Sequence, residues 1–353
     1  MTRLINRYIA QQIGMMIAIA LLVLAGLDGL FTLIAEFDAL EHSYHAREAM
    51  IYVLATMPSR IYQWIPIATL MGCLLALGNL ASSSELIVMR AAGISVLGIV
   101  RKALYPVIGV VIVGLLLGQY LTPMTEHFSQ NYRAIKLGGG TLLRVKYGNW
   151  QRQGDEFIHM NAIEPNGIIH GITRYRFVDH QLKEMSFAER AIYQNQQWVM
   201  QKQQQSILSE TSVRVHDAPQ AIWQSQLTPE ILELAVLKPE HLSITGLYRY
   251  AHYMQQQGLR YLPYLLAFWK KISQPFATLA MVLVAAAFVF GPLRSGTMGL
   301  RIMVGLMAGL FFNYLQEFLG FASLAFNIQP WIASVVPILV FSTMGVVLIR
   351  RVK

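Results

Sequence analysis

Residues 9–35 read IAQQIGMMIAIALLVLAGLDGLFTLIA. Only Gln11, Gln12, Asp28 and Thr32 interrupt the apolar run. A helix facing water on one side would carry charge along that side. This one is apolar all round and longer than the ~20 residues that cross a hydrocarbon core. Arg3 and Arg7 precede it. The run is too long for the apolar core of a cleavable signal, and no clear small-residue cleavage site follows. It reads as a first membrane span that also directs insertion.

Comparable stretches recur at 51–80, interrupted by Pro58 and Pro66, and at 96–121, 263–290, 298–319 and 331–349. The whole composition agrees. Hydrophobic residues make up 55% of the 353 and charged residues 13%, about half the charge of an ordinary soluble domain. The single cysteine, Cys73, lies inside an apolar segment, which excludes an internal disulfide and leaves it as a small buried hydrophobe.

A formal net charge of +9 suggests nucleic acid or a membrane surface. The positions decide between them. Arg3, Arg7, Arg90, Arg101, Lys102, Arg294, Arg301, Arg350, Arg351 and Lys353 fall on one side of the spans. The short loops opposite carry Arg47, Arg60 near a helix end, and the acids Glu36, Asp38, Glu41 and Glu48. Lysine and arginine in short loops mark the cytoplasmic face. Both termini are therefore expected in the cytoplasm, and the charge reports topology rather than a nucleic-acid partner.

Between the third and fourth spans lies a polar insert, about 138–240, with short alternating runs. Thr173, Tyr175 and Phe177 alternate with Arg174 and Arg176. Further runs are Thr141–Tyr147, Met185–Tyr193, Trp198–Lys202, Ser212–Val215 and Ala221–Trp223, divided by Gly148-Asn149, Pro165-Asn166-Gly167 and Asn195. Short strands at regular spacing predict an all-β sandwich or jelly roll on the outer face. Gln201–Gln205 is read as a strand end, and Ser243–Gln257 as a helix stopped by Gly258. The fold class is thus an α-helical membrane protein with six spans and a periplasmic all-β, jelly-roll-like domain. Its parts are 1–122, 123–262 with connectors, and 263–353.

The connection between spans two and three, about 82–93, is a short helix. Ser82–Ser84 offer an N-cap, Glu85 lies in the first turn and Gly93 can end it. Its apolar residues Leu86, Ile87 and Met89 need a protein groove or the lipid interface. It can equally be a capped linker. Asp28 is an intramembrane acid, which either faces a cavity or pairs with a base from another helix. Asn313 and Glu317 share one face of span five, where interhelical hydrogen bonding is the plain use. Gly114/Gly118 and Gly305/Gly309 permit close helix approach. The nine histidines show no metal-ligand spacing, and the chain has neither a nucleophile elbow nor the GxxxxGK[ST] nucleotide loop.

The run 84–93, SELIVMRAAG, resembles the coupling helix of the LptF/LptG lipopolysaccharide export permeases. NYRA at 131–134, LSITGL at 242–247 and FGPLRS at 290–295 agree, as does the order of three spans, insert and three spans. Together these motifs are more similar to the LptG branch. The resemblance implies a non-catalytic permease half of an ATP-driven exporter. ATP and magnesium would sit on a separate LptB-like ATPase dimer, with no cofactor bound by this chain. An LptF-like half and an LptC-like membrane-anchored β protein would complete the assembly. Ser84, Glu85, Leu86, Met89 and Arg90 would couple to the ATPase.

Lipopolysaccharide would enter an apolar cavity between spans one, two and five. Candidate lining residues are Leu30, Phe31, Ile61, Ile65, Phe311 and Leu315. Arg60, Arg133, Lys136, Lys270 and Lys271 are the candidate phosphate ligands, since arginine and lysine suit phosphate. Snorkelling to the headgroups is the other use of Lys270 and Lys271. Two rival readings stand beside this one. A proton-coupled secondary transporter of an amphiphile would use Asp28 and Glu317 as its relay. A membrane-bound lipid enzyme would need a catalytic set that the sequence does not display.

Overall fold

A computed structural model describes residues 2–38, 44–137, 149–163, 168–179, 181–209, 212–225, 227–291 and 296–351. Every expected span is a helix. Span one is α1 (Thr2–Phe37) and span two is α2 (Ala46–Ser82). A short α3 (Glu85–Ala91) follows. Span three is α4 (Val96–Leu116), continued through a π-helical turn (Leu117–Leu121) into α5 (Thr122–Leu137). Strands β1 (Asn149–Gln153), β2 (Glu156–Ile163), β3 (Ile169–Val178), β4 (Gln181–Gln194), β5 (Gln197–Leu208) and β6 (Val213–Trp223) come next. Then come α6 (Pro229–Val236), α7 (Ile244–Gln256), α8 (Leu262–Phe290), α9 (Met298–Ala325) and α10 (Pro330–Arg351). Among the described residues, six helical stretches are long and apolar enough to cross a membrane. Pro58 and Pro66 do not interrupt the second of them. Neighbouring helices in a membrane protein re-satisfy the backbone groups that proline frees.

The chain forms two compact units. One comprises Met1–Ala35, Val53–Thr125 and Leu265–Lys353; the other comprises Glu36–Tyr52 and Glu126–Tyr264. In the first unit α2 and α8 are the most enclosed helices, whereas α1, α4 and α9 leave most of their surface open. Glycines explain the centrality of α2. A Cβ on Gly72 would lie 2.6 Å from the Ile17 backbone of α1. Gly114 of α4 and Gly118 of the π-helical turn after it seat against Ile65 and Tyr62, and Gly305 and Gly309 of α9 against Leu74 and Ile67. Both small-residue pairs read from the sequence are therefore used within the chain, on the same helix. Replacing Gly118 by alanine would set a carbon 2.5 Å from the Tyr62 ring. The expected cost is about 1–3 kcal/mol, read as a lower melting temperature in detergent. Gly109→Ala, with open space at that position, should leave melting unchanged or raise it.

In the second unit all six strands pair antiparallel with their sequence neighbours. That order is a meander. The crossing connections of a jelly roll are not seen among the described residues, and Thr141–Tyr147 and Pro165-Asn166-Gly167 lie outside them. One face of the sheet buries Ile158, Met160, Ile172, Ala188, Ala191, Trp198, Met200 and Trp223 with Leu232 of α6 and Tyr250 and Tyr253 of α7. Trp198 anchors this core by donating its indole N–H to the Leu227 carbonyl at 2.7 Å. The opposite face carries Trp150, Phe157, Met185, Phe187, Val213 and Val215, all exposed.

The strand expected to end near Gln201–Gln205 continues to Leu208. Lys202 adopts φ 51 and drops out of the pairing on both sides. The register with β4 and β6 is the same before and after it, so no residue is inserted; the inward alternation passes from Trp198 and Met200 to Gln203 in step with Ala191 and Ala188 of β4. Asn195 and Gln196, both at positive φ, form the tight β4–β5 turn. The helix expected at Ser243–Gln257 is α7. Ser243 Oγ caps it by accepting from the Gly246 N–H at 3.0 Å, and Gly258, at φ 65, ends it.

Candidate functional site

The short helix α3 joins α2 to α4 and is held at both ends. At its C-terminus Gly93 takes φ 84. The Gly93 N–H donates to the Arg90 carbonyl at 3.0 Å and the Ile94 N–H to the Met89 carbonyl at 3.1 Å, a Schellman closure. Gly93→Ala would force a side chain into the left-handed region, at a cost of about 1 kcal/mol. Faster amide exchange confined to α3 is the expected readout.

The N-terminus differs from expectation. Ser84 occupies the N-cap position at φ 61, and its side chain caps nothing. Ser82 and Ser83 instead turn their hydroxyls back to the Asn79 carbonyl. Glu85 is engaged by hydroxyls from Ser83 and from Tyr8 of α1.

Which face of α3 is open also corrects the sequence reading. Leu86 is only 4% exposed and packs into the core of the helical unit, with Met89 partly buried against it. Ile87 and Val88, exposed at 52% and 66%, are the apolar residues presented outward. Arg90 is exposed beside them. A seven-residue helix gives too little periodicity to fix its inward side from sequence.

The charged candidates are largely engaged. Asp28 and Arg60, singled out separately, form an ion pair with each other between α1 and α2. Asp28 thus has its base within the chain rather than on a partner helix. Arg133 of α5 donates from Nε to Glu36 Oε2 at 2.8 Å. That same oxygen accepts from the Tyr44 hydroxyl at 2.9 Å. Glu36 is 8% exposed, so Arg133 offers phosphate only the remainder of its guanidinium. Burial and the Glu36 contact hold the Tyr44 phenol well above its ordinary pKa. Lys136, one turn beyond Arg133, lies 5.8 Å from the Tyr132 ring centroid.

Lys271 does not snorkel. It is 5% exposed, with Nζ 5.2 Å from the Tyr62 ring centroid and 3.4 Å from the Gly118 carbonyl in the π-helical turn. The extra residue of such a turn loosens the backbone ladder there. Lys270 is half-buried beside Gly320 of α9.

The apolar candidates separate. Leu30, Phe31 and Phe311 are exposed at 57%, 70% and 63%. Leu315 is partly buried against the core, and Ile61 is half-buried. Ile65 lines a small crevice, with a cavity volume of only about 10 Å³, together with Tyr62, Val111, Gly114, Leu115, Gln274, Pro275 and Thr278. That places it between α2, α4 and α8 rather than toward α1 or α9. Glu317 is exposed on α9, and Asp28 is committed to Arg60. Residues 292–295 of the FGPLRS run lie outside the described residues. Among the described residues, no three His, Cys, Asp or Glu side chains are grouped to hold a metal ion.

Sequence reasoning passed over Tyr8, and it read Glu36 only as a loop acid. Their partners lie 77 and 97 residues away, and no local spacing announces such pairs.

Among the described residues, six membrane helices, a β domain and a braced helix between the second and third spans define a multi-pass membrane protein with one extramembrane β domain. The family description "Lipopolysaccharide export system permease LptF/LptG" matches residues 7–351. The chain belongs to that family and is a multi-pass inner-membrane protein. It is 32% identical over 348 residues to the lipopolysaccharide export system permease protein LptG of Haemophilus influenzae, covering 98% of this chain and 97% of that protein. To LptG of Escherichia coli K12 it is 31% identical over 352 residues, 98% of each.

Proposed function

We propose that this chain is the LptG-like half of an ATP-driven exporter. It draws lipopolysaccharide out of the inner membrane and passes it to a periplasmic bridge toward the outer membrane. The observation that carries this reading is α3. It turns Ile87, Val88 and Arg90 outward from a position fixed by Leu86 and closed by Gly93. A surface helix presenting two large apolar residues beside a cation fits a protein groove. The chain itself has no nucleotide loop, so the driving ATPase is a partner, an LptB-like dimer. An LptF-like half and an LptC-like membrane-anchored β protein complete the assembly.

The termini and α3 face the cytoplasm and the β domain faces the periplasm, in keeping with the lysine and arginine bias of the short loops. Exposed apolar side chains on α1 and α9, Leu30, Phe31 and Phe311 among them, form one wall of the substrate cavity against the LptF-like half. Lys136 and the outward part of Arg133 are the cations offered to phosphate. The open aromatic face of the sheet, with Trp150, Phe157 and Phe187, takes acyl chains leaving the membrane. ATP binding and hydrolysis move α3, and the cavity narrows. Net transport requires the two states to differ in affinity for the lipid.

The test is purification of the tagged chain from its native membranes in mild detergent, with bound proteins identified and bound lipid quantified. A P-loop ATPase and lipopolysaccharide should co-purify. A chain recovered without an ATPase, under conditions that preserve other membrane complexes, would overturn the reading. The proton-coupled alternative would then need testing.

A further inference from the structure

Where the N-terminal end of α1 meets α3, one carboxylate oxygen collects two hydroxyls. Tyr8 donates to Oε1 of Glu85 at 3.3 Å, and Ser83 Oγ lies 3.0 Å from that same oxygen. Ser83 has one proton and a competing acceptor, the Asn79 carbonyl, also at 3.0 Å. Tyr8 is therefore the steadier of the two donors. It reaches Glu85 from 77 residues away. Ile9 and Ile13, both fully buried, fix the height of α1 at this point. The Tyr8 side chain is 41% exposed, so its ring is not there to fill a core. Among the described residues both contacts fall on Oε1, which leaves the lone pairs of the second oxygen for another donor.

We propose that Tyr8 is a positioning residue for ATPase docking. Its hydroxyl fixes the Glu85 carboxylate so that Oε2 meets an arginine or lysine of the ATPase, and it ties α1 to the movement of α3. A glutamate has several free torsions. Holding them before association removes part of the ordering cost that docking otherwise carries. The same bond gives α3 a link to α1, a helix whose outer half carries the exposed Leu30 and Phe31. This inference rests on the ATPase-docking reading given above.

The experiment uses the complex purified from native membranes. The ATPase is stripped and titrated back onto the permease in lipid nanodiscs. Wild type, Tyr8→Phe, Glu85→Ala and the double variant are compared for affinity and for melting temperature. Tyr8→Phe keeps the ring and removes only the hydroxyl. It should weaken docking about three- to tenfold with melting unchanged, and it should have no further effect when Glu85 is already alanine. Wild-type affinity in Tyr8→Phe, with Glu85→Ala impaired, would overturn the role of Tyr8 and leave the docking site standing. Equal losses from Tyr8→Phe in both backgrounds, or a fall in melting temperature that accounts for the loss, would also overturn it. Glu85→Ala without effect would instead remove the docking reading itself.

Discussion

On the proposed docking of α3, Glu85→Ala should strip the complex of its ATPase. Truncating one member of a hydrogen-bonded interfacial charge pair costs about 2–5 kcal/mol, so docking should weaken at least about thirtyfold, and ATP-driven export should fall with it. Glu85→Gln keeps an acceptor for Tyr8 and Ser83 but loses the charge, and should fall between. Leu86→Ala supplies the contrast. Its side chain points into the protein's own core, so the loss of about 2–5 kcal/mol expected for a large-to-small core change should appear in the melting temperature of the permease alone. Affinity measured on the surviving folded fraction should stay near wild type. If Leu86→Ala weakened docking while melting stayed unchanged, the inward orientation of that residue would be contradicted.

The second large effect concerns Asp28 and Arg60. Their side chains are 33% and 17% exposed. Asp28→Asn leaves a guanidinium without its anion between two apolar helices. Breaking a buried pair from one side costs about 3–5 kcal/mol, and the one-third exposure of Asp28 places the expectation at the low end. Thermal unfolding in detergent reads it directly. The double variant Asp28→Asn/Arg60→Gln removes both charges together and should recover most of the lost stability. It should also keep transport. Restored stability with transport abolished would give the pair a role in moving protons and revive the secondary-transporter reading.

Much of the fold was legible because the bilayer imposes its demand on composition. Residues 9–35 announce a span whatever they pack against. The helix ends were harder, since hydropathy ends before the helix does. α1 continues to Phe37, and the third span runs through a π-helical turn into the polar α5. The sheet was readable as alternation, but the inward parity of β5 changes across Lys202, in register with the same change in β4, and no propensity rule foresees a positive φ at a lysine within a strand. At the candidate site the sequence identified residues and missed their partners. Asp28 and Arg60 each stand out in the sequence, but nothing in their spacing shows that they pair. Arg133 reads from the sequence as a candidate phosphate ligand, and its ion pair with Glu36 is not visible there. Lys271 reads from the sequence as a phosphate ligand or a snorkelling lysine, whereas Tyr62 and the Gly118 carbonyl take it inward. Such outcomes depend on how helices rotate against α2. That rotation is set by Gly72, Gly114, Gly118, Gly305 and Gly309 acting together rather than by the local pattern around any one charge.

The most direct test of the central claim is depletion of this protein in the organism that makes it, with newly synthesised lipopolysaccharide followed by pulse labelling and membrane fractionation. The account predicts that labelled lipopolysaccharide accumulates in the inner membrane as the protein disappears, and that wild type restores its passage while Glu85→Ala does not. Undiminished arrival of labelled lipopolysaccharide at the outer membrane after depletion would contradict it.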